Sequence, residues 1–330
     1  MPRLTRQEAW DLAYRATIRA GANEATARSL ADATVAAELA QRPAVGFAHL
    51  KDYLAAFACG RIAATVVPEV DYPAPALIHV DAKGAIGQLG FDMAFDELVS
   101  RASTYGIAIL AQRGSYTTGE LGYYARRLAL KELVAIAATN GPALMTPGAG
   151  TPLVYCTNPL AFAAPVEGGL PLVIDQASSA TAFVNIRQAA EQGLPIPDGW
   201  AVDAEGQPTT DAREAMKGAL LAFGGSRGAN IALMVEVLAA GLTGANWSLD
   251  APSFAEGDRS PGIGLFVVAL KPDLLTWDFA ARLALQLDRL AANGVHIPGR
   301  SAASDGTIEL PAALVATLEA YLKSALPLLR

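Results

Sequence analysis

Three histidines occur in the 330 residues, His49, His79 and His296, so the choice of a side chain that changes charge near neutral pH is narrow. His79 precedes Val80-Asp81 in an alternating, strand-like stretch and reads as structural. His296 lies in a Pro-Gly loop, where it either meets an anionic group or simply packs the loop. Two glycine-containing segments can bind an anion through backbone N–H groups, because each opens a helix: Thr117-Thr118-Gly119-Glu120-Leu121-Gly122 and Gly224-Gly225-Ser226-Arg227-Gly228. The second adds a guanidinium suited to phosphate or carboxylate. Each also reads as an ordinary flexible helix cap. Asp175 ends an apolar strand and is followed by Gln176-Ala177-Ser178-Ser179. A carboxylate there either holds a ribose or phosphate or closes the strand in an Asx-turn.

Several common chemistries leave no trace. No G-x-G-x-x-G follows a predicted strand, and there is no G-x-x-x-x-G-K-[ST] loop or H-E-x-x-H pair. Cys59 and Cys156 lack a C-x-x-C partner or a neighbouring histidine, which disfavours both a zinc site and a disulfide framework.

These groups need a scaffold, and the pattern predicts a mixed one. Thr5 with Glu8 three residues later has capping-box spacing, and Asn23 opens a second helix with Leu30, Ala33, Val35, Ala36 and Leu39 on its apolar positions. Residues 44–62 continue in a helical pattern. The stretch 74–81 alternates like a strand. Helices are then expected at 90–105, 119–131, 229–242, 276–292 and 311–328, with strands at 107–111, 133–138, 160–163, 172–174 and 263–270. Long helices mixed with short buried strands indicate an α/β or α+β architecture.

Composition narrows the partners. Lys and Arg number 25 against 32 Asp and Glu, a formal net charge of −7, and no basic run is present. Nucleic-acid binding and a polybasic membrane contact are therefore disfavoured. Hydrophobic residues make up 52% and charged residues 17%, the profile of a well-buried chain with surface to spare for self-association. The N-terminal stretch lacks the apolar segment of a signal peptide, so a soluble, cytoplasmic setting is expected.

Taken together, five stretches resemble the type-2 malate/L-lactate dehydrogenase family, whose members include sulfolactate and ureidoglycolate dehydrogenases, diketogulonate reductase and the Δ1-pyrroline- and Δ1-piperideine-2-carboxylate reductases. They are Gly122-Tyr123-Tyr124-Ala125, the run from Thr157 to Pro165, Ile196 to Asp203, Gly206 to Asp211, and Leu233-Met234-Val235-Glu236 followed by Leu242-Thr243-Gly244-Ala245. The resemblance implies an NAD(P)-dependent oxidoreductase without a Rossmann fold. Its cofactor domain, residues 91–271, would hold a mixed, largely antiparallel sheet. A helical lobe built from both termini, residues 1–90 with 272–330, would bind substrate and form a homodimer. By position, Thr117, Thr118, Gly119, Glu120 and Leu121 resemble the pyrophosphate loop and Asp175, Gln176 and Ala177 the cofactor strand end. Arg227-Gly228 stands for a Lys-Gly pair, Gly299 and Arg300 belong to a cofactor-touching loop, and Thr157 falls at a substrate-contacting position. NADPH is expected slightly ahead of NADH.

The departures concern the chemistry itself. The family's Asp-Ser-His-Gly-x-Ser-Arg-Leu-x-x-Tyr segment is here Pro43 to Tyr53, with Ala44-Val45 in place of the Ser-His pair and His49 in place of the Arg. A second family histidine corresponds to Thr117. In a helix, Val45, His49 and Tyr53 share one face. His49 then binds a carboxylate, relays a proton with Tyr53, or is merely tolerated there. Reducing a ketone without a general acid costs on the order of 10²–10⁴ in rate, whereas an imine nitrogen is protonated before hydride arrives. The expected function is reduction of a small cyclic 2-imino acid, with His49, Tyr53 and Thr117 in the catalytic cluster and His49 and Thr157 on the substrate. The alternatives are a 2-hydroxy-acid dehydrogenase and a non-catalytic NAD(P)-binding paralogue. No metal is expected.

Overall fold

The computed structural model describes residues 2–299 and 306–323. The chain begins with β1 (Arg3–Thr5), α1 (Arg6–Arg19), α2 (Glu24–Leu39) and α3 (Phe47–Ala58). Next come β2 (Glu69–Ala74), β3 (Leu77–Asp81), α4 (Gly87–Tyr105), β4 (Ile107–Ser115) and α5 (Gly122–Ala129). The strands β5 (Val134–Thr139), β6 (Met145–Thr146), β7 (Leu160–Ala164) and β8 (Leu172–Gln176) lead to α6 (Phe183–Gln192). After β9 (Ala201–Val202), β10 (Pro208–Thr209), α7 (Ala212–Ala215) and β11 (Ala219–Leu221) follow α8 (Ser226–Glu236), β12 (Ile263–Leu270), α9 (Phe279–Ala292), β13 (Thr307–Glu309) and α10 (Ala312–Lys323).

Local chemistry starts the first two helices as expected. Thr5 and Glu8 exchange hydrogen bonds in a full capping box, and the Asn23 side chain accepts from the Thr26 N–H. The third helix is capped from elsewhere: Gly46 offers no side chain, and Glu38, in the last turn of α2, accepts the Phe47 N–H at 2.8 Å. Gly46 itself, at φ −95° and ψ −128°, breaks the helical pattern, so Pro43–Val45 forms a separate 3₁₀ turn.

The main sheet has the order β2-β3-β4-β12-β5-β7-β8. Only β3 and β4 run parallel; every other neighbouring pair in it is antiparallel. This is the mixed, largely antiparallel sheet expected. It takes in β2 and β3, although the sequence reading puts residues 69–81 with the helical lobe. Strand β3 is drawn in by its register with β4, Leu77 opposite Ile109 through Asp81 opposite Arg113. A smaller sheet, β10-β9-β11-β6, stands apart.

Each body has its own apolar centre. Leu98, Leu110, Tyr124, Leu128 and Val267 are fully buried on the main sheet. Ala13, Leu30, Leu54, Leu318 and Tyr321 join α1, α2 and α3 to α10, so the two ends of the chain share one core. Strand β1 pairs with β13, Arg3 opposite Glu309.

Behind the sheet a five-residue π-turn, Val237–Gly241, presses its backbone on β12. A Cβ on Gly264 would lie 1.6 Å from the Ala239 carbonyl oxygen. Gly264→Ala is therefore expected to force backbone movement and cost about 1–3 kcal/mol or more, read as a lower urea midpoint.

Candidate active site

The middle of α3, the first turn of α4 and the loop after β4 meet at a buried polar junction. Tyr53 projects from α3 and is 2% exposed. Its hydroxyl lies 2.9 Å from Thr117 Oγ1, and Gln88 Nε2, in the first turn of α4, donates to it at 2.9 Å. The same Gln88 nitrogen donates to the Thr118 carbonyl at 3.1 Å. His49, one turn before Tyr53, sets its ring edge against the phenol with centroids 4.8 Å apart. His49 Nδ1 is 2.8 Å from Asp52 Oδ2, and Nε2 makes a long 3.5 Å contact with Thr117 Oγ1. The structure thus brings His49, Tyr53 and Thr117 together. It does not put Val45 on their helix, because the break at Gly46 intervenes; the positions of the family's Ser-His pair carry an exposed Ala44 and a half-buried Val45.

From Thr117 the chain turns toward a groove. Gly119 has φ +66°, and its N–H donates to Thr117 Oγ1 at 3.2 Å. Thr118 is tied down by the Tyr124 hydroxyl, which donates to its carbonyl at 2.6 Å, and Leu121 is buried in the sheet core. The expected helix at 119–131 starts only at Gly122, because the residues before it are spent on this turn. Gly122 N–H donates to Asp175 Oδ2 at 2.7 Å, joining the loop to the end of β8. Asp175 thereby acts on a backbone 53 residues away, not in an Asx-turn.

Glu120, Asp175, Gln176, His296 and Gly299 line one groove of about 850 Å³, together with Arg6, Arg42, Arg126 and Arg127. Arg126 pairs with Glu120 through both guanidinium nitrogens, and Arg42 donates to the Asp175 carbonyl at 3.4 Å. Burial pushes both carboxyls above their ordinary range. It is opposed at Glu120 by Arg126, and at Asp175 by the Gly122 N–H and then Arg42. The volume is that of a small-molecule or cofactor site. Four arginines beside three carboxyls, Asp32, Glu120 and Asp175, suit a ligand bearing phosphates. Gly299, at φ +84°, lies so close to β8 that a Cβ would be 3.4 Å from Val173 N.

Other expected residues lie outside the groove. Gly228 opens α8 against the Phe223 carbonyl and leaves no room for a Cβ, while Arg227 is exposed. Arg300 lies outside the described residues. Thr157 is half-buried, and its carbonyl accepts from Ser178, three residues beyond Asp175. Among the described residues no hydrogen bond joins Thr157 to His49 or Thr117. Its neighbour Asn158, fully buried at φ +35°, donates to Glu236 at 2.7 Å, and Ser248 donates twice to the same carboxylate. Gln88, Arg42 and Arg126 escape a reading by motif, and Glu236 falls in a family stretch without a role assigned to it; Asp52, three residues after His49 on a helix, carries a usable spacing signal.

A model of malate/L-lactate dehydrogenase matches residues 4–313. The chain belongs to that family. Among its relatives, a (2R)-3-sulfolactate dehydrogenase (NADP(+)) from Chromohalobacter salexigens is 36% identical, over 90% of each chain. A Δ1-pyrroline-2-carboxylate/Δ1-piperideine-2-carboxylate reductase from Pseudomonas aeruginosa is 34% identical over 98% of this chain and 100% of that one. The crystal structure of Δ1-piperideine-2-carboxylate reductase from Pseudomonas syringae superposes with a TM-score of 0.91 at 31% identity, covering 97% and 99% of the two chains. As a member of the malate/L-lactate dehydrogenase family the protein is an oxidoreductase of mixed α/β fold. No helix among the described residues is long and apolar enough to cross a membrane.

The phenol at the junction has a measurable signature. Burial pushes Tyr53 up to about 12, against hydrogen bonds with Thr117 and Gln88 that pull it down. A raised folded value means that this contribution to stability is intact below about pH 10, the ordinary tyrosine value, and is lost as pH rises through 12. Tyr53→Phe should therefore lose Tm less steeply than the wild type between pH 10 and 12, as followed by circular dichroism.

Proposed function

We propose that the protein is an NAD(P)H-dependent reductase of a small cyclic 2-imino acid, of the Δ1-pyrroline-2-carboxylate and Δ1-piperideine-2-carboxylate class. The observation that carries this reading is the exposed Ala44 and half-buried Val45 where a ketone reductase of the family needs its acid pair, beside an intact His49, Tyr53 and Thr117 cluster. Reducing a carbonyl builds negative charge on oxygen and needs a proton donor in the transition state, whereas an imine becomes electrophilic once its nitrogen is protonated. The relatives named for these two imines, aligned along nearly the whole chain, support the same reading.

The groove residues fit a nicotinamide dinucleotide. Glu120, Asp175, Gln176 and Gly299 would hold it, with Thr118 and Gly119 at the loop and Arg42 or Arg6 near phosphate. The reduced nicotinamide supplies hydride when bound. NADPH is favoured over NADH by the arginine-rich lining and by the NADP(+)-linked sulfolactate relative. Within this reading His49 and Thr157 face the substrate, while Thr117 and Tyr53 serve His49. A homodimer in the cytoplasm completes the proposal; Leu275 and Trp277, at 84% and 86% exposure, support a covered face.

A 2-hydroxy-acid dehydrogenase is the second reading, favoured by the sulfolactate relative. Purified protein given NADPH or NADH should oxidise it with either cyclic imine at a rate at least about tenfold above that with pyruvate or oxaloacetate, a difference of about 1.4 kcal/mol in barrier. Comparable or faster 2-oxo acid reduction would replace the imine reading with the second. Thermal stabilisation by NADPH without turnover of any of the four would instead indicate a binding protein.

A further inference from the structure

The junction around Tyr53 has a direction. A glutamine amide has two N–H donors, and Gln88 Nε2 meets both the Thr118 carbonyl, which only accepts, and the Tyr53 hydroxyl. Turning the amide over would set its oxygen against that carbonyl, so its orientation is decided. Tyr53 receives a hydrogen bond from Gln88, and because Thr117 Oγ1, at 2.9 Å, is the one acceptor among the described residues that its hydroxyl meets, it spends its own hydrogen there. Thr117 also receives the Gly119 N–H at 3.2 Å. A hydroxyl accepts two hydrogen bonds and donates one. With both acceptor positions filled, Thr117 has only its donor left, and the remaining neighbour is His49 Nε2 at 3.5 Å. That nitrogen must then be the unprotonated one, and Nδ1 carries the hydrogen toward Asp52 at 2.8 Å. Both ends of the imidazole call for the same tautomer.

We propose that His49 is the proton donor of the reaction, with Asp52, Thr117 and Gln88 as the positioning residues that fix its resting tautomer. The proposal rests on the imine-reductase reading. When His49 takes up a second proton, its Nε2–H finds no acceptor on Thr117, whose own hydrogen points at the same place. Asp52 Oδ2 meanwhile accepts the Nδ1–H on the other side. The proton is thus left for an acceptor that enters the site, and the basic nitrogen of an imine is one. The Nε2–H bond breaks, a new N–H bond forms with the imine lone pair, and the C=N π electrons move onto nitrogen as the carbon accepts hydride from the reduced nicotinamide. The products are an amine and neutral His49, which regains a proton from water; its side chain is 22% exposed and Asp52 is 61% exposed. His49 therefore serves as an acid from the position where the family has its carboxylate clamp.

The test uses the full-length protein labelled with ¹⁵N, first without cofactor. Long-range ¹H–¹⁵N spectra should show neutral His49 protonated on Nδ1, and Asp52→Asn should populate the Nε2-protonated form. Asp52 is exposed, so this variant should fold as the wild type does, and Asp52→Glu should restore the original tautomer. With NADPH and Δ1-pyrroline-2-carboxylate, His49→Ala should lower kcat by roughly 10²-fold, the low end for losing a general acid. Asp52→Asn should lower kcat by about tenfold or more with KM nearly unchanged, the pattern of an interaction made in the transition state. A rise in KM alone would make His49 a carboxylate clamp and overturn the donor role. An Nε2-protonated wild type would overturn the hydrogen-bond order even if turnover is found. Absence of turnover with the expected tautomer would defeat the reductase reading and the donor role together, leaving the order of the four residues standing.

Discussion

The hydroxyl of Tyr53, closed off from water between Gln88 and Thr117, binds three separately formed parts of the molecule to one another. Helix α3 belongs to the helical core, α4 packs on the main sheet, and Thr117 follows the end of β4. A buried phenol without partners would be costly, and its two partners come from different layers, so the layers are obliged to meet at this point. Tyr116, the neighbour of Thr117, strengthens the joint by burying its ring in the helical core and donating to the Phe254 carbonyl at 3.0 Å. The positions of Thr118, Gly119 and Glu120 follow from where this joint sets the loop that runs on to Gly122.

Electrostatics in the groove obey the same economy of partners. Glu120 is nearly fully buried and takes both nitrogens of Arg126, while Asp175 spends one oxygen on the Gly122 N–H. A carboxylate in such surroundings repels phosphate unless it is already engaged. Here Glu120 and Asp175 are engaged, and the third carboxyl of the lining, Asp32, accepts the Trp10 indole N–H at 2.7 Å. The segment leading into β7 is held by another fully used carboxylate, Glu236, which fixes Asn158 in a left-handed conformation next to Thr157.

Much of this was legible in the residues because it is local. The caps at Thr5 and Asn23 act within three residues, and strand 263–270 is an unbroken apolar run. The family resemblance was legible for a similar reason, since its motifs are short and contiguous. What escaped is held from a distance. Helix α3 could not be seen to begin at Phe47, because its cap is Glu38 on another helix. Strands β6, β9, β10 and β11 span two or three residues each and exist through pairing such as Leu220 with Met145. Gln88 carries no motif at all; its importance arises from facing a tyrosine 35 positions earlier and a carbonyl 30 positions later. The groove arginines were likewise scattered in sequence and became a lining only through the fold.

The shared core of the two chain ends bears on how the protein is made. Helices α1, α2 and α3 are synthesised first, but α10 and β13, which seal their apolar faces, are synthesised last. At a synthesis rate of roughly 5–20 residues per second, the early helices spend on the order of tens of seconds with that surface uncovered. During this interval the sheet, whose strands all lie between residues 69 and 270, can form ahead of them. The bonding junction at Tyr53 would then be assembled on a finished sheet by a helical lobe still awaiting its final helix. Chaperone dependence during translation, more than equilibrium stability, is where a shortened C-terminus would first be felt.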